Sequence, residues 1–251
     1  DPYAVVEQGS AATGSVPSGG TGTLTPAYSV TLQPTAPANH EVSLDLAITA
    51  DGGYATSTSL VLKTGGGIDE DFEGSGDDWT HYVVTGGFND QWHVETARSH
   101  SSSHSWKFGG SGTGNYANSC DGALETPTLC VGNGAVLSFW DWLDAEEESS
   151  TSAWDCAFVE ISTDGGSSWD VLVPEGGYSH TKNYNTANPV PEGTPCWSGS
   201  HGWREETFDL SAYEGENVIV RFRFASDGSV TEEGWYIDDV VLTNQTSAVD
   251  G

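Results

Sequence analysis

The sequence has no methionine, and only 7 lysines and arginines stand against 37 aspartates and glutamates, for a formal net charge of −30 over 251 residues. So few cations exclude the clustered basic face that nucleic acid or an anionic membrane surface requires. The acids suit a solvated surface in a salty or calcium-containing exterior. Long apolar runs are also missing. Apolar stretches last about 4–8 residues between Gly, Ser, Asn and Asp clusters, too short to span a membrane as a helix and typical of an all-β protein. The nearest approach to a helix, AEEESSTSAW, lacks an apolar stripe. Catalytic signatures are absent too. NHEVSL places Leu44 where a metalloprotease helix needs its second histidine, and there is no nucleophile elbow or phosphate-binding loop. None of the four cysteines forms a CxxC pair, which argues against a zinc ribbon.

What is present is organised into two parts. A glycine break at Gly65–Gly67 separates residues 1–64 from residues 68–251. In the first part, YAVVEQ and AYSVTLQP read as strands. EVSLDLAITADGGYATSTSLVL reads as a hairpin turning at Asp51-Gly52-Gly53, with Val42, Leu44, Leu46 and Ile48 on one face. The second part offers about ten strands. In one of them Val218, Val220, Phe222 and Phe224 alternate with Ile219, Arg221 and Arg223, as in a strand with one buried face. The strand GWYIDDVVLT carries Asp238 and Asp239 in its middle, where carboxylates are costly to bury. Strict alternation puts Asp238 on the face of Val240 and Leu242, at the rim of the core. Of the three pairings open to the cysteines, Cys120–Cys130 and Cys156–Cys196 is preferred, because the first two flank the short segment DGALETPTL; buried thiols are the alternative. The abrupt start, DPYAVV, points to a processed or excised chain.

The ordered set ARSHSSSHSWKFGG, AVLSFWDWLDAEEE, DCAFVEISTDGGSSWDVL, FDLSAYEGENVIVRFRFASDG and GWYIDDVVL resembles the MAM-like jelly-roll domain of immune inhibitor A-type metallopeptidases. Relatives of that domain occur in gingipain-type adhesins. The first 64 residues resemble the C-terminal portion of the immunoglobulin-like modules of bacterial secreted peptidases and surface proteins. The resemblance implies an all-β fold: an antiparallel β-sandwich of jelly-roll type, preceded by a smaller, truncated immunoglobulin-like β module. It also implies a structural calcium ion between the first and last jelly-roll strands. The ligands it points to are Asp71, Glu73 and Asp238, then Asp239, with a backbone carbonyl near Ser102. The additional acids Asp69 and Glu70 leave the first-strand ligand open by a position or two.

Other motifs read as structure. STDGGSSW is a single Asp-box, a hairpin turn in which Asp164 accepts backbone N–H groups, Gly165 and Gly166 allow positive φ, and Trp169 packs beneath. Trp140 and Trp142 share one face of their strand, and Phe139 and Asp141 the other. Trp197 and Trp203, in the CWSGSHGW loop, are candidates for a sugar-stacking or protein-contact surface. Asn244-Gln245-Thr246 is a formal glycosylation sequon.

The sequence therefore predicts a non-catalytic extracellular module stabilised by calcium, serving adhesion or cell-surface structure. Its partners would be other protein subunits or surface protein and polysaccharide, with no nucleic acid and no membrane insertion. An incomplete first module could accept a strand from a neighbour, giving a head-to-tail homo-oligomer or fibre. The alternatives are an accessory substrate- or carbohydrate-binding region of a secreted peptidase and, last, an enzyme.

Overall fold

The structure, a computed structural model, describes residues 1–17, 19–32, 41–63, 68–74 and 78–243. The Gly65–Gly67 break and the sequon at Asn244 lie outside them. The chain divides into two compact units, residues 1–66 and 67–245.

The first unit consists of two antiparallel pairs. β1 (Ala4–Gln8) pairs with β2 (Ser29–Leu32), and β3 (Glu41–Ala50) with β4 (Tyr54–Lys63). The β3–β4 turn uses Gly52 and Gly53 at φ 84° and 82°, a region closed to most residues. Among the described residues each strand pairs along one edge only, and Val5, Val6, Tyr54, Leu60 and Val61 are exposed.

The larger unit is a two-sheet antiparallel sandwich, the jelly-roll architecture expected. Its strands are β5 (Asp69–Glu70), β6 (Thr80–Val83), β7 (Trp92–Glu95), β8 (Ser105–Phe108), β9 (Asp121–Glu125), β10 (Leu129–Cys130) and β11 (Val136–Ala145). There follow β12 (Glu147–Ser149), β13 (Ser152–Ala153), β14 (Cys156–Ser162), β15 (Asp170–Leu172), β16 (His180–Lys182) and β17 (Pro195–Cys196). The last are β18 (Gly199–Asp209), β19 (Asn217–Ala225) and β20 (Gly234–Thr243). One sheet runs β15-β14-β19-β9-β6, with β10 also on β19; the other runs β18-β11-β20-β8-β7, with β5 on β20. A small sheet, β12-β13-β16-β17, adjoins them.

The core lies between the large sheets. Val218, Val220, Phe222 and Phe224 of β19 face Phe108, Phe139, Leu143 and Trp235, all fully buried. On the opposite face of β19, Arg221 and Arg223 are buried as well, which alternation alone did not predict. Arg221 donates to Glu160 at 2.6 Å, and Arg223 grips Asp121 through two bonds of 2.8 and 3.0 Å. Trp169, from the Asp-box, lies 4.0 Å from the Arg221 guanidinium. The box itself is a turn: Asp164 accepts Ser168 N–H at 2.9 Å and the Ser168 and Ser162 hydroxyls at 2.7 and 2.8 Å.

The cysteines do not follow the expected pairing throughout. DGALETPTL is not a loop: β9 and β10 both lie along β19, with Asp121 opposite Ala225 and Cys130 opposite Asn217. These are the two ends of β19, roughly 26 Å apart at the rise of a strand. A Cys120–Cys130 bridge is thereby ruled out, since bridged Cα atoms must sit within about 7 Å. Cys156 and Cys196 are adjacent as two free buried thiols, with sulfurs 2.8 Å apart.

Candidate metal centre and outer face

The acids of the final strand are placed by a bulge. Ser138 pairs with Val241 and Trp140 with Asp238, so one residue of β11 faces two of β20, and Asp239 takes φ 49°. The extra residue reverses the alternation. Trp235 and Ile237 enter the core before it, and Val240 and Leu242 after it. Asp238 therefore does not share the face of Val240 and Leu242. It sits on the outer face beside Trp140, and is nevertheless 0% exposed. The Ser99–His104 turn covers it: His100 and Ser101 N–H donate to Asp238 Oδ2 at 2.7 and 3.1 Å, and Asp239 N–H to Oδ1 at 2.8 Å. Burial pushes its pKa up to about 6.

The segment around Phe72 reaches the same turn from the other side. Phe72, at φ 55°, buries its ring against Trp79 and Trp106 and so fixes its neighbours. Glu73 Oε1 accepts Ser103 and His104 N–H at 2.6 and 2.7 Å, while Oε2 accepts the Ser103 hydroxyl at 2.7 Å. These bonds, the Ser103 hydroxyl foremost, hold the Glu73 carboxyl down at about 2. Asp71 Oδ1 accepts Glu73 N–H at 3.1 Å, and Glu70 accepts Phe72 N–H at 2.9 Å. Asp239 Oδ2 meets His100 Nδ1 at 2.5 Å. Ser102, exposed at the turn's apex, has φ 28°. Of the five non-glycine residues with positive φ among the described residues, Phe72, Ser102 and Asp239 all belong to this constellation.

The structure thus gathers Asp71, Glu73, Ser102, Asp238 and Asp239 around one turn. Their donor set is all oxygen, which suits a hard divalent cation. No Lys or Arg pairs with Asp238 among the described residues, and Ser101 Oγ, in the covering turn, is buried without a hydrogen-bond partner. The set fits calcium in those respects. The carboxylates lie on two sides of the turn rather than around one point, and no three of them bring oxygens within 4.8 Å of one another. The one group among the described residues that does is Glu146, Asp155 and Asp227, which sequence reading missed. Glu146 follows β11 and Asp155 precedes β14, on either side of the β12–β13 pair, and only Asp227, after β19, is remote in sequence, so no short motif announces all three.

Beside Asp238 the outer face is aromatic. Trp140 and Trp142 point outward as their alternation predicts, while Phe139 and Asp141 are buried. The His100 ring stacks on Trp140 at 3.7 Å, and Arg98 lies 4.1 Å over Trp142. Trp203, in a second bulge opposite Trp142, reaches Tyr236 with 6.5 Å between ring centroids. Trp197 is a correction. It is 1% exposed, wedged among Phe139, Tyr178, Phe208 and Trp235, and cannot form a contact surface.

Residues 88–250, which include this turn, the aromatic strand and the bulged final strand, match the family described as Immune inhibitor A-like, MAM domain. The chain belongs to this family. It is 31% identical over 206 residues to Bacillopeptidase F of Bacillus subtilis, covering 78% of this chain and 12% of that protein. It is 33% identical over 125 residues to the pre-pro-metalloprotease PrtV of Vibrio cholerae, covering 47% of this chain and 12% of PrtV. The chain therefore spans 12% of the length of these relatives. Among solved structures it is similar to the K2 adhesin domain of Lys-gingipain (16% identity, TM-score 0.44, 71% of this chain and 98% of that one). The K1 adhesin domain of Lys-gingipain from Porphyromonas gingivalis gives 20% identity and a TM-score of 0.42, over 72% of this chain and 99% of that one.

Proposed function

We propose that this MAM-family chain is a non-catalytic extracellular module that serves adhesion or surface structure, with its jelly roll stabilised by calcium. The observation that carries the reading is the convergence of the 71–73 segment, the Ser-rich turn and the bulged final strand at Asp238, a fully buried carboxylate without a Lys or Arg partner among the described residues. Calcium there would offset the desolvation of Asp238 and tie the first strand to the last. The test is thermal unfolding after EDTA treatment, with and without calcium, on wild type and Asp238→Ala. A ligand that binds only the folded state raises the Tm. A calcium-dependent rise in wild type that the variant lacks is expected; equal Tm values with and without calcium would refute the calcium assignment.

A second reading, an accessory carbohydrate-binding region of a secreted peptidase, draws on the partly exposed rings of Trp140, Trp142 and Trp203. Aromatic faces stack on sugar rings as they do on other flat groups. Retention on an insoluble neutral polysaccharide, lost in Trp203→Ala, is the expected outcome; no retention of the wild type removes this reading.

The fibre form of the proposal rests on the first unit. A groove of about 510 Å³ is lined there by Val6, Tyr28, Val30, Leu44, Leu46 and Leu60, next to strands that pair along one edge only among the described residues. The occupant proposed is a strand from a second copy, adding to an edge and filling the groove.

A further inference from the structure

The pairing of Cys156 with Cys196 can be argued from the backbone outward. Ala157 and Trp197 exchange two hydrogen bonds, N–H to carbonyl in both directions, at 3.0 and 2.8 Å. Such a reciprocal pair fixes two antiparallel segments and points the side chains of 157 and 197 the same way. The preceding residues, Cys156 and Cys196, then share the opposite face. There they lie in a small second core with Ala153, Phe158, Val190 and Ala225, both thiols fully buried. Their sulfurs are 2.8 Å apart, closer than two non-bonded sulfurs rest. A metal site does not explain the approach. The one three-ligand cluster among the described residues contains neither cysteine.

We propose that Cys156 and Cys196 form a single intrachain disulfide under oxidising conditions, and that Cys120 and Cys130 do not cross-link to each other. The oxidant is a disulfide-bearing reagent or a thiol oxidoreductase in its disulfide form. One protein thiolate attacks an oxidant sulfur, breaking its S–S bond and releasing one thiol. The second protein thiolate attacks the mixed disulfide, forming the Cys156–Cys196 bond and releasing the second oxidant thiol. Two protein thiols are oxidised, one oxidant disulfide is reduced, and the two protein thiol protons pass to the departing thiols. Both sulfurs are sealed from solvent in the folded state, so the exchange occurs before the small sheet closes over them. Burial also raises the Cys156 thiol, which leaves it inert once enclosed. The bond would close the segment carrying the Asp-box, β15 and β16, and pin the small sheet to β14.

The experiment equilibrates the full chain in a glutathione redox buffer, unfolds it in denaturant with an alkylating reagent, and reads intact mass and labelled peptides. Two labels, on Cys120 and Cys130, are expected without prior reduction, and four after it. Cys156→Ser should carry three labels, gaining Cys196. Four labels on unreduced wild type would overturn the proposal, as would labels on Cys156 or Cys196. A thermal scan supplies a second readout. Reductant should lower the Tm of wild type and leave a Cys156→Ala/Cys196→Ala variant unchanged; an equal effect on both would also count against the bond.

Discussion

Asp141 and His201 show how single buried groups set the pH response. Asp141 points into the core from β11, accepts Trp235 Nε1–H at 3.1 Å, and has Arg204 and His201 nitrogens at 3.4 Å. Burial pushes its pKa up to about 7 and pushes that of His201 down to about 4. Between the unfolded value of Asp, 3.8, and about 7, the native state keeps an Asp141 proton that the unfolded chain releases, so stability falls as pH rises. Between about 4 and 6.5 the unfolded chain protonates a histidine that the native state holds neutral, so stability rises with pH. The two slopes, each up to about 1.4 kcal/mol per pH unit, oppose one another over nearly the same window. Urea unfolding monitored by tryptophan fluorescence at several pH values should therefore show opposite tilts in two variants. Asp141→Asn should gain stability from pH 4 to 6.5 relative to wild type, and His201→Gln should lose it. Parallel profiles for all three proteins would show that neither group is coupled to folding.

At the scale of elements, β20 is held by two backbone features. Its middle carries the bulge at Asp239; its start, Gly234, has φ 111°, and a Cβ there would lie 2.0 Å from the Phe108 carbonyl oxygen. Gly234→Ala must separate β20 from β8, the strand that pairs at Trp235 with Phe108. A loss of several kcal/mol, in the range of severe core strain, is expected in equilibrium urea unfolding; wild-type stability in this variant would mean that β20 is not seated as described. These features also mark where sequence reading succeeds and stops. The alternation of β19 and the outward Trp140 and Trp142 were legible because period-two patterning survives in regular strands. The face of Asp238 was not, because one inserted residue reverses the phase. The two adjacent acids hinted at something unusual without revealing a bulge. DGALETPTL passed for a loop because Pro127 and its flanking threonines hide two short strands that share one partner. Trp197 looked exposed because a Gly- and Ser-rich segment surrounds it, yet long-range pairing with Ala157 draws it into the core. The acids of the candidate site could be named but not positioned, since hydrogen bonds to a turn some thirty residues from Glu73 and well over a hundred from Asp238 decide their geometry.

For the whole molecule the governing quantity is charge. All six Lys and Arg residues of the larger unit have internal partners. Arg98 is held by Glu233, Arg204 by Glu206, Arg221 by Glu160 and Arg223 by Asp121, while Lys107 donates to the carbonyls of Gly110, Gly112 and Gly114, and Lys182 to Asn183. What remains on the surface is overwhelmingly acidic. Two copies must therefore repel one another at separations up to the Debye length, about 10 Å at 0.1 M salt. Apolar edges in the first unit pull the other way, but only over contact distance. Monovalent salt weakens the repulsion generally, whereas calcium can also bind carboxylates and reduce the charge itself. Light scattering on size-separated protein should accordingly show a monomer in NaCl and higher-mass species in calcium chloride of equal ionic strength. Substituting Leu44 and Leu60 with serine should abolish the higher-mass species, because that change removes the groove while leaving the charge intact. A monomer at every protein concentration in both salts would eliminate strand exchange between copies. Equal association in both salts would assign the effect to screening alone, and association that survives the groove substitutions would place the contact elsewhere.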